Sequence, residues 1–270
     1  MIKNISADEY HSDRTHLASS SLVMIAKSPK HFKYELDSPP AKPTPAQETG
    51  TLIHSLLLEQ DIDTYVPRPL KENGELVRSN TKEYAAFLEA NPGKSPIHPN
   101  EYNQLYTMLT AFAENKRAMQ MLRGAAIEQS VFTADPETGL LVKGRPDIWG
   151  KGYLADLKST SNMERFENQI FGMLYDVRLM HYAKCIEFET GERIREFYFI
   201  SYEQKAPFDS QIFQLSPGDV SMAEDKWRIF LNQVAVCTKE NSWPGYSDMI
   251  RVARRPKYLE DESISFEEAM

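Results

Sequence analysis

The sequence lacks the features that define several common protein classes. It has only two cysteines, Cys185 and Cys237, and no CxxC pair, which argues against a disulfide framework, a zinc site and a cysteine-held iron–sulfur cluster. No apolar run approaches the roughly 18 residues that span a bilayer, and the first residues do not resemble a signal peptide. The G-x-x-x-x-G-K-[ST] motif of ATP-driven motors, HExxH and a Ser-His-Asp signature are also missing. We therefore expect a cytoplasmic protein that does not bind membranes.

Basic residues are also fewer than acidic ones. The chain has 31 Lys and Arg against 39 Asp and Glu, a net charge of −8. This balance disfavours a nucleic-acid partner, because phosphate contact usually needs a basic face. However, binding depends on the local potential, and carboxylates that bind metal ions add to the negative total. The charge therefore lowers the expectation of DNA binding without excluding it.

The patterns that are present predict an α/β protein. The composition, 41% hydrophobic and 26% charged over 270 residues, is ordinary for a globular protein. Three apolar runs, SVFTA, LLVKGRPDIW and YLADLK, are separated by the turn signals PETG and GKG and predict a β-meander. We predict one domain over residues 1–270, with an N-terminal helical part to about 125, a catalytic sheet core over about 126–205 and a C-terminal helical part over about 206–260. The predicted fold is a central mixed sheet flanked by helices.

The most informative motif lies at the end of this meander. Arg145-Pro146-Asp147 is followed, after eight intervening residues, by Asp156-Leu157-Lys158. Side chains alternate along a strand, so Asp156 and Lys158 point to one face and Leu157 to the other. The GKG turn folds Asp147 back towards them. Two carboxylates and one ammonium are therefore predicted to converge at one edge of the sheet.

Such a cluster suits hydrolysis of a phosphodiester. Oxygen ligands held close together favour a hard cation, and Mg²⁺ is the usual occupant. A bound metal polarises a phosphoryl oxygen and helps to generate hydroxide from water. Lys158 can stabilise the transition-state charge, or orient or activate the attacking water if its pKa is lowered. Ser159 begins a run of hydroxyl residues that can contact phosphate.

The spacing D-x8-D-x-K alone is common, and two acids and a lysine on adjacent strands often form only surface ion pairs. The flanking apolar residues and the hydroxyl run favour the catalytic interpretation. GRPDIW…YLADLKST resembles motifs II and III of the PD-(D/E)XK nuclease superfamily. From about residue 15 to about residue 205, the chain more closely resembles the exonuclease VIII (RecE-type) recombination exonucleases, phage-type relatives of lambda exonuclease.

Further motifs follow in the order of that family. GTLIHSLLLE resembles the helix that carries a metal-binding histidine, IEQSVFTADPETGLLVKGRPD resembles the segment with a further acidic residue, and SSSLVMIAKSPKHF is similar to the segment near the DNA 5′ phosphate. Arg178-Leu-Met-His-Tyr182 stands where the family has Q-x-x-x-Y. This departure puts the role of the glutamine in doubt, although arginine also binds phosphate.

The resemblance implies a set of site residues. Those implied to bind metal are His54, Glu128, Asp147, Asp156 and the backbone carbonyl of Leu157. Those implied to act in catalysis are Lys158, Asp147, Asp156 and Glu128. Those expected to contact DNA phosphates are Arg14, Ser20, Ser159, Arg178 and Tyr182. Simpler interpretations remain for three of them: His54 as a core residue, Glu128 as a surface acid, and Ser20 as a helix N-cap.

The resemblance also implies an activity. The protein would use Mg²⁺, with Mn²⁺ as a substitute and two ions expected per site, to degrade the 5′ strand of linear double-stranded DNA. The remaining 3′ single strand would pass to a single-strand annealing protein for recombination. The expected assembly is a homotrimeric ring, with a tetramer as the alternative. Three other readings stay open: a PD-(D/E)XK endonuclease, a non-catalytic DNA-end-binding module, and an α/β protein with surface ion pairs.

Overall fold

The computed structural model describes residues 1–39, 45–60, 62–250 and 252–254, and only the backbone of residues 45–49. The end of the predicted C-terminal part, residues 255–260, lies outside this range. The helices are α1 (Ala7–Ser12), α2 (Ser19–Leu22), α3 (Pro29–Asp37), α4 (Pro45–Glu59), α5 (Lys82–Ala90), α6 (Pro99–Glu114), α7 (Lys116–Leu122), α8 (Phe166–Gly172), α9 (Tyr175–Thr190) and α10 (Pro217–Glu240). Within the described residues, no helix is both long and apolar enough to cross a membrane.

The strands of the described residues form three sheets. They are β1 (Ile2–Lys3), β2 (Leu17–Ala18), β3 (Tyr65–Pro67), β4 (Ser95–Ile97), β5 (Ala126–Ile127), β6 (Ser130–Ala134), β7 (Leu141–Gly144), β8 (Ile148–Gly150), β9 (Tyr153–Thr160), β10 (Glu196–Glu203) and β11 (Ser210–Gln214). The largest sheet has the order β11-β10-β9-β8-β5, with β9 and β10 parallel and the other pairs antiparallel. A second sheet has the order β1-β6-β7-β2, and β3 pairs with β4. The predicted mixed α/β fold is confirmed.

The prediction that LLVKGRPDIW forms one strand is wrong. Strand β7 ends at Gly144 and belongs to the four-stranded sheet, whereas β8 begins at Ile148 and belongs to the five-stranded sheet. Pro146 has no N–H to donate to a ladder, which disfavours a continuous strand at this position. Residues 145–147 therefore carry the chain from one sheet to the other, and Asp147 lies at the seam between them.

Side-chain alternation on β9 separates two layers of core. Leu154 packs with α9 and α10 on one face, whereas Ala155 and Leu157 pack with α4, α6 and α7 on the other. Asp156 and Lys158 share the face of Leu154, as the alternation predicts. Helix α9 packs against β6, β7 and β9, and thus covers the seam between the two sheets. The C-terminal end of β9, the seam between the two sheets and α9 therefore lie next to one another.

Candidate active site

Two acidic residues meet across the seam through their backbones. The Glu128 amide donates to the Asp147 carbonyl oxygen at 3.0 Å, which extends the pairing of β5 with β8 by one step. Glu128 has a φ of 48°, in the left-handed region that non-glycine residues rarely adopt. Such a conformation costs roughly 1–3 kcal/mol and persists where the surrounding contacts hold it, often at functional sites. The fold thus keeps the two carboxylates together despite this strain.

His54 lies between these two carboxylates. Helix α4 buries Ile53, Leu56 and Leu57 in the core and leaves His54 at its edge. The Nε2 atom of His54 lies 2.9 Å from Asp147 Oδ2, and its Nδ1 atom lies 3.4 Å from Glu128 Oε1. Burial lowers the pKa of His54, but the carboxylates outweigh burial and raise the pKa to about 10. The raised pKa favours the imidazolium, which donates from Nε2 to Asp147 and faces Glu128 with Nδ1.

Asp156 and Lys158 form the second half of the cluster. The Lys158 ammonium is ion-paired with the buried Asp156 carboxylate, and it donates to the Leu157 carbonyl oxygen at 3.2 Å. Asp147 Oδ2 accepts from the Leu157 amide at 2.6 Å, which joins β8 to β9 at the site. Asp147, Asp156 and Lys158 therefore lie together in the structure, as their spacing in the sequence predicts.

The charges within this cluster determine its protonation. Burial and the neighbouring Asp147 raise the pKa of Asp156 to about 6, although Lys158 opposes the shift. The pKa of Asp147 stays well below its usual range, because His54 and Lys158 outweigh the opposing effect of burial. Burial lowers the pKa of Lys158, but Asp156 and Asp147 outweigh it and raise the pKa above the usual value. The condition under which Lys158 would activate water as a base, a lowered pKa, is not met here.

Arg145 belongs to the site although the sequence argument did not assign it a role. Its Nη2 atom donates to Glu128 Oε2 at 2.9 Å. Its Nη1 atom donates to the Ile5 carbonyl oxygen at 2.7 Å and to Ser130 Oγ at 3.0 Å. The guanidinium therefore fixes the Glu128 carboxylate to the N-terminal segment and to β6. The only sequence signal for it was its place directly before Pro146 and Asp147.

Helix α9 brings Tyr182 to the same region. The Ser19 hydroxyl donates to the Tyr182 hydroxyl oxygen at 3.1 Å, so Ser19 contacts Tyr182, whereas Ser20 is exposed. Burial raises the pKa of Tyr182, and the nearby Asp156 carboxylate adds to this effect. Gly144 permits the close approach of β7 to α9, since a Cβ there would lie 3.1 Å from Tyr182 Cδ1 and 3.3 Å from Tyr182 Cα.

Arg178 reaches the site through an aromatic ring. Its guanidinium carbon lies 5.9 Å from the ring centre of Tyr175, and Lys158 Nζ lies 5.5 Å from the same ring. Tyr175, at the first turn of α9, thus contacts one predicted catalytic residue and one predicted phosphate ligand. Cation–π contacts of this kind orient the positive groups at modest energy. Sequence reasoning missed Tyr175, because its spacing matched no motif.

The remaining predicted phosphate contacts are arranged differently. Arg14 donates to the carbonyl oxygens of Leu36 at 2.6 Å and Ser38 at 2.9 Å, and so caps the C-terminal end of α3. Ser159 is exposed at the end of β9 and accepts a hydrogen bond from Gln204 at 3.1 Å. The structure therefore gives Arg14 a structural contact and leaves Ser159 beside Lys158 at the surface.

The donor chemistry suits a divalent cation. Three carboxylates and a backbone carbonyl are oxygen ligands of the kind that Mg²⁺ and Mn²⁺ take in proteins, and the imidazole of His54 adds a nitrogen ligand. Among the described residues, however, no three His, Cys, Asp or Glu side chains are already arranged as a metal centre. The carboxylates are instead held by the protein's own cations, namely His54, Lys158 and Arg145. A metal ion would replace part of this positive charge, and His54 would have to lose its proton to act as a ligand.

Structural comparison supports this fold. A candidate exonuclease from Eubacterium rectale is 11% identical to the chain, covers 97% of it and 99% of its own length, and has a TM-score of 0.62. An alkaline exonuclease from Laribacter hongkongensis is also 11% identical and covers 87% of this chain and 97% of its own, but its TM-score of 0.36 is too low to support an argument. No match was found among curated proteins.

The sequence itself identifies the family. A sequence profile described as a PDDEXK-like domain of unknown function (DUF3799) matches residues 18–256. That range covers most of the chain and contains His54, Glu128 and the Asp147, Asp156 and Lys158 cluster. The chain therefore belongs to this PDDEXK-like family.

Proposed function

We propose that the protein is a metal-dependent deoxyribonuclease that hydrolyses DNA phosphodiesters at the seam between the two sheets. The observation that carries the proposal is the meeting of His54, Glu128, Asp147, Asp156 and Lys158 at this seam. Surface ion pairs do not require neighbouring carboxylates whose pKa values are shifted in opposite directions. Active sites commonly contain groups with such shifted pKa values. The PDDEXK-like family and the fold agree with this assignment.

In this proposal His54, Glu128, Asp147, Asp156 and the Leu157 carbonyl hold Mg²⁺, or Mn²⁺ as a substitute, with two ions expected per site. A bound divalent cation lowers the pKa of a water molecule and polarises the phosphoryl oxygen. The buried Asp156 and the partly buried Asp147 supply the negative charge that makes cation binding favourable. Arg145 keeps the Glu128 carboxylate turned towards the cluster, since its guanidinium is itself anchored at Ile5 and Ser130.

Lys158 has a charge-stabilising role in this proposal. In this arrangement of charges Asp156 and Asp147 raise the pKa of its ammonium. Lys158 is proposed to donate hydrogen bonds to the attacking water or to the oxygen on which negative charge develops. Tyr182 and Arg178 border the cluster on α9 and are proposed to position the phosphate, together with Ser159 at the end of β9.

The finer activity follows from the RecE-type resemblance. We propose degradation of the 5′ strand of linear duplex DNA, which leaves a 3′ single strand for an annealing protein. The proposed assembly is a ring of three chains, with four as the alternative. Arg14 takes part in phosphate binding only if it leaves the carbonyl oxygens of Leu36 and Ser38.

The test is cleavage of linear duplex DNA labelled separately at its 5′ and 3′ ends, with Mg²⁺ or with EDTA. We expect loss of the 5′ label only with Mg²⁺, and no cleavage by Lys158→Ala. Lys184→Ala is the matched control, because Lys184 is also a half-buried lysine of the same core but is ion-paired with Glu187 and Glu224 instead. This variant should retain activity.

Other outcomes would favour the alternatives. Cutting of a covalently closed circle would assign an endonuclease, since an exonuclease requires an end. DNA binding without cleavage in Mg²⁺ and in Mn²⁺ would assign a binding module. If the protein neither cleaves DNA nor binds divalent cations, the residues of the cluster form structural ion pairs only.

A further inference from the structure

A second charged region lies at the other end of the central sheet. A cavity of about 290 Å³ opens between α7, the β8–β9 turn and the first residues of β9 and β10. Its cationic lining residues are Arg117, Arg123 and Lys151, and all three are exposed. The cavity shares no lining residue with the acidic cluster.

The local structure explains why the three cations face one space. Arg117 and Gln120 lie one turn apart on α7, and the Arg117 Nη1 atom donates to Gln120 Oε1 at 3.1 Å. Arg123 follows the end of α7 directly. Lys151 occupies the tight turn between β8 and β9, which packs beside α7. Two chain segments about thirty residues apart therefore contribute positive charge to the same opening.

The floor of the cavity is aromatic. Tyr153 and Tyr198 meet edge to face, with ring centres 6.1 Å apart. Tyr153 lies over Gly150, where a Cβ would overlap its ring, and its hydroxyl donates to the Met121 carbonyl oxygen at 2.6 Å. These contacts fix the ring of Tyr153 in place. The rigid aromatic surface under a cationic rim offers contacts to both a base and a phosphate.

The protein neutralises the positive charge of this cavity only in part. Among the described residues, no carboxylate forms an ion pair with Arg117, Arg123 or Lys151. The one acid in the lining, Glu196, accepts a hydrogen bond from the Tyr198 hydroxyl at 2.6 Å. The three cations outnumber the one carboxylate around the opening, and an anion relieves the remaining repulsion. In a chain with a net charge of −8, such a local excess of positive charge stands out.

We propose that this cavity binds a phosphate ester, namely a phosphate group of a DNA strand or of a free nucleotide. Guanidinium groups bind phosphate through paired N–H donors, and the tyrosine floor accepts the attached sugar or base. The volume is at the small end of ligand sites, which suits about one nucleotide rather than a longer stretch. Binding here does not depend on the proposed nuclease activity.

The position of the cavity distinguishes it from the acidic cluster. Tyr153 and Lys158 lie at opposite ends of β9, roughly 17 Å apart at about 3.3 Å per residue. Their side chains also point to opposite faces of the sheet, because they are five positions apart, an odd number. The cavity therefore contacts a phosphate other than the one at the proposed site of cleavage.

The test uses the full chain in EDTA, so that cleavage does not interfere. Three probes are titrated by calorimetry: inorganic phosphate, a deoxynucleoside monophosphate and a short single-stranded oligodeoxynucleotide. Arg117→Ala/Lys151→Ala is compared with Arg78→Ala/Lys82→Ala, which removes one arginine and one lysine from exposed positions away from the cavity. Thermal unfolding of both variants checks that the fold is intact, and Arg123→Glu provides an independent second variant.

We expect wild type and the control to bind at least one probe equally. The cavity variants should bind that probe about tenfold more weakly or worse, and the salt dependence of oligonucleotide binding should be less steep. The probe that binds identifies the source, either the phosphate group alone, a free nucleotide or a DNA strand. Equal affinity of the cavity and control variants, or no binding of any probe by wild type, would overturn the proposal. Binding of a probe here by a protein that does not cleave DNA in the separate Mg²⁺ assay would count against the nuclease function alone.

Discussion

The acidic cluster holds the half-buried His54 and the core behind β7 holds the fully buried His181, and the pKa values of the two histidines are shifted in opposite directions. His54 lies 2.9 Å from Asp147 and 3.4 Å from Glu128, and its pKa rises to about 10. His181 on α9 is fully buried, and burial lowers its pKa to about 4. Its Nε2 atom donates to the Lys143 carbonyl oxygen at 3.0 Å, and its Nδ1 atom accepts from Trp227 at 3.1 Å.

Burial alone does not explain this difference, because it lowers the pKa of both histidines. The neighbours decide the outcome. His181 has neutral partners on both ring nitrogens, so it is a structural core residue. His54 has carboxylate partners whose charge it must balance. The cluster therefore accommodates positive charge, which is why a cation site is proposed there.

The largest expected effect comes from removing charge from the cluster while keeping its shape. Asp156→Asn should reduce metal-dependent cleavage by about 10³-fold or more, because the buried carboxylate is proposed to hold the cation that stabilises the transition state. Initial rates on end-labelled duplex DNA measure the effect. Asp225→Asn, at an exposed position of α10, is the control. Cleavage by Asp156→Asn at the wild-type rate would remove Asp156 from the mechanism.

The second effect is the pH dependence of the stability that comes from His181, whose partners are neutral. The folded-state pKa of His181 lies below its unfolded value of about 6.5, so its contribution is complete above that pH and is lost as the pH falls towards 4. The loss is on the order of 3 kcal/mol for a shift of this size. In the metal-free protein the contribution of His54 has the opposite sign, since it is complete below pH 6.5 and lost as the pH rises through about 10.

His181→Gln isolates this effect. A glutamine can donate to the Lys143 carbonyl and accept from Trp227, but it does not titrate. Urea unfolding of EDTA-treated protein at pH 7 and pH 4.5 should show a smaller loss of stability for the variant than for wild type. If both proteins lose the same free energy of unfolding, His181 is not the group responsible.

The third effect is stabilisation of the cluster by metal. Mg²⁺ or Mn²⁺ at 100 times its Kd should stabilise the folded protein by about 2.7 kcal/mol, because only the folded chain forms the site. The expected rise in Tm is several degrees, measured with and without EDTA. Asp147→Asn should abolish the rise, whereas His181→Gln should keep it. A rise in Tm of equal size in Asp147→Asn would mean that the metal binds outside the cluster.

The smallest effect concerns the residue that holds a proposed ligand. Arg145→Ala should weaken Mn²⁺ binding by about 10- to 100-fold, the usual result when a group that orients a metal ligand is removed. Calorimetry measures the affinity directly and separates this role from a general loss of activity. Arg145→Lys should restore part of it by keeping a positive charge beside Glu128. Unchanged Mn²⁺ affinity in Arg145→Ala would leave Arg145 with a structural role only.

The sequence predicted the parts of the site that depend on local spacing. Strand alternation put Asp156 and Lys158 on one face, and the turn after Gly150 brought Asp147 back to them. The strand boundary was missed because apolar composition alone does not reveal that β7 and β8 join different sheets. Pro146 was the available signal.

Contacts between distant parts of the chain could not be predicted from the sequence. Arg145 contacts a carbonyl 140 residues away at Ile5, and Ser19 rather than Ser20 reaches Tyr182 across 163 residues. The basic cavity joins residues near 117, 151 and 198. No periodicity or motif connects such positions, because only the packing of α7 and α9 on the sheets brings them together.

Gly144 bears on how this site tolerates mutation. Even the single methyl of alanine would meet the Tyr182 backbone at 3.3 Å and the Cys185 Cβ at 3.4 Å, so α9 would have to move by a few tenths of an ångström. That helix carries Tyr175, Arg178 and Tyr182 together, and the shift would reach all three. In a saturation library selected for activity, position 144 should therefore keep glycine, while the open turn position Gly139 should accept the residues that tolerate positive φ.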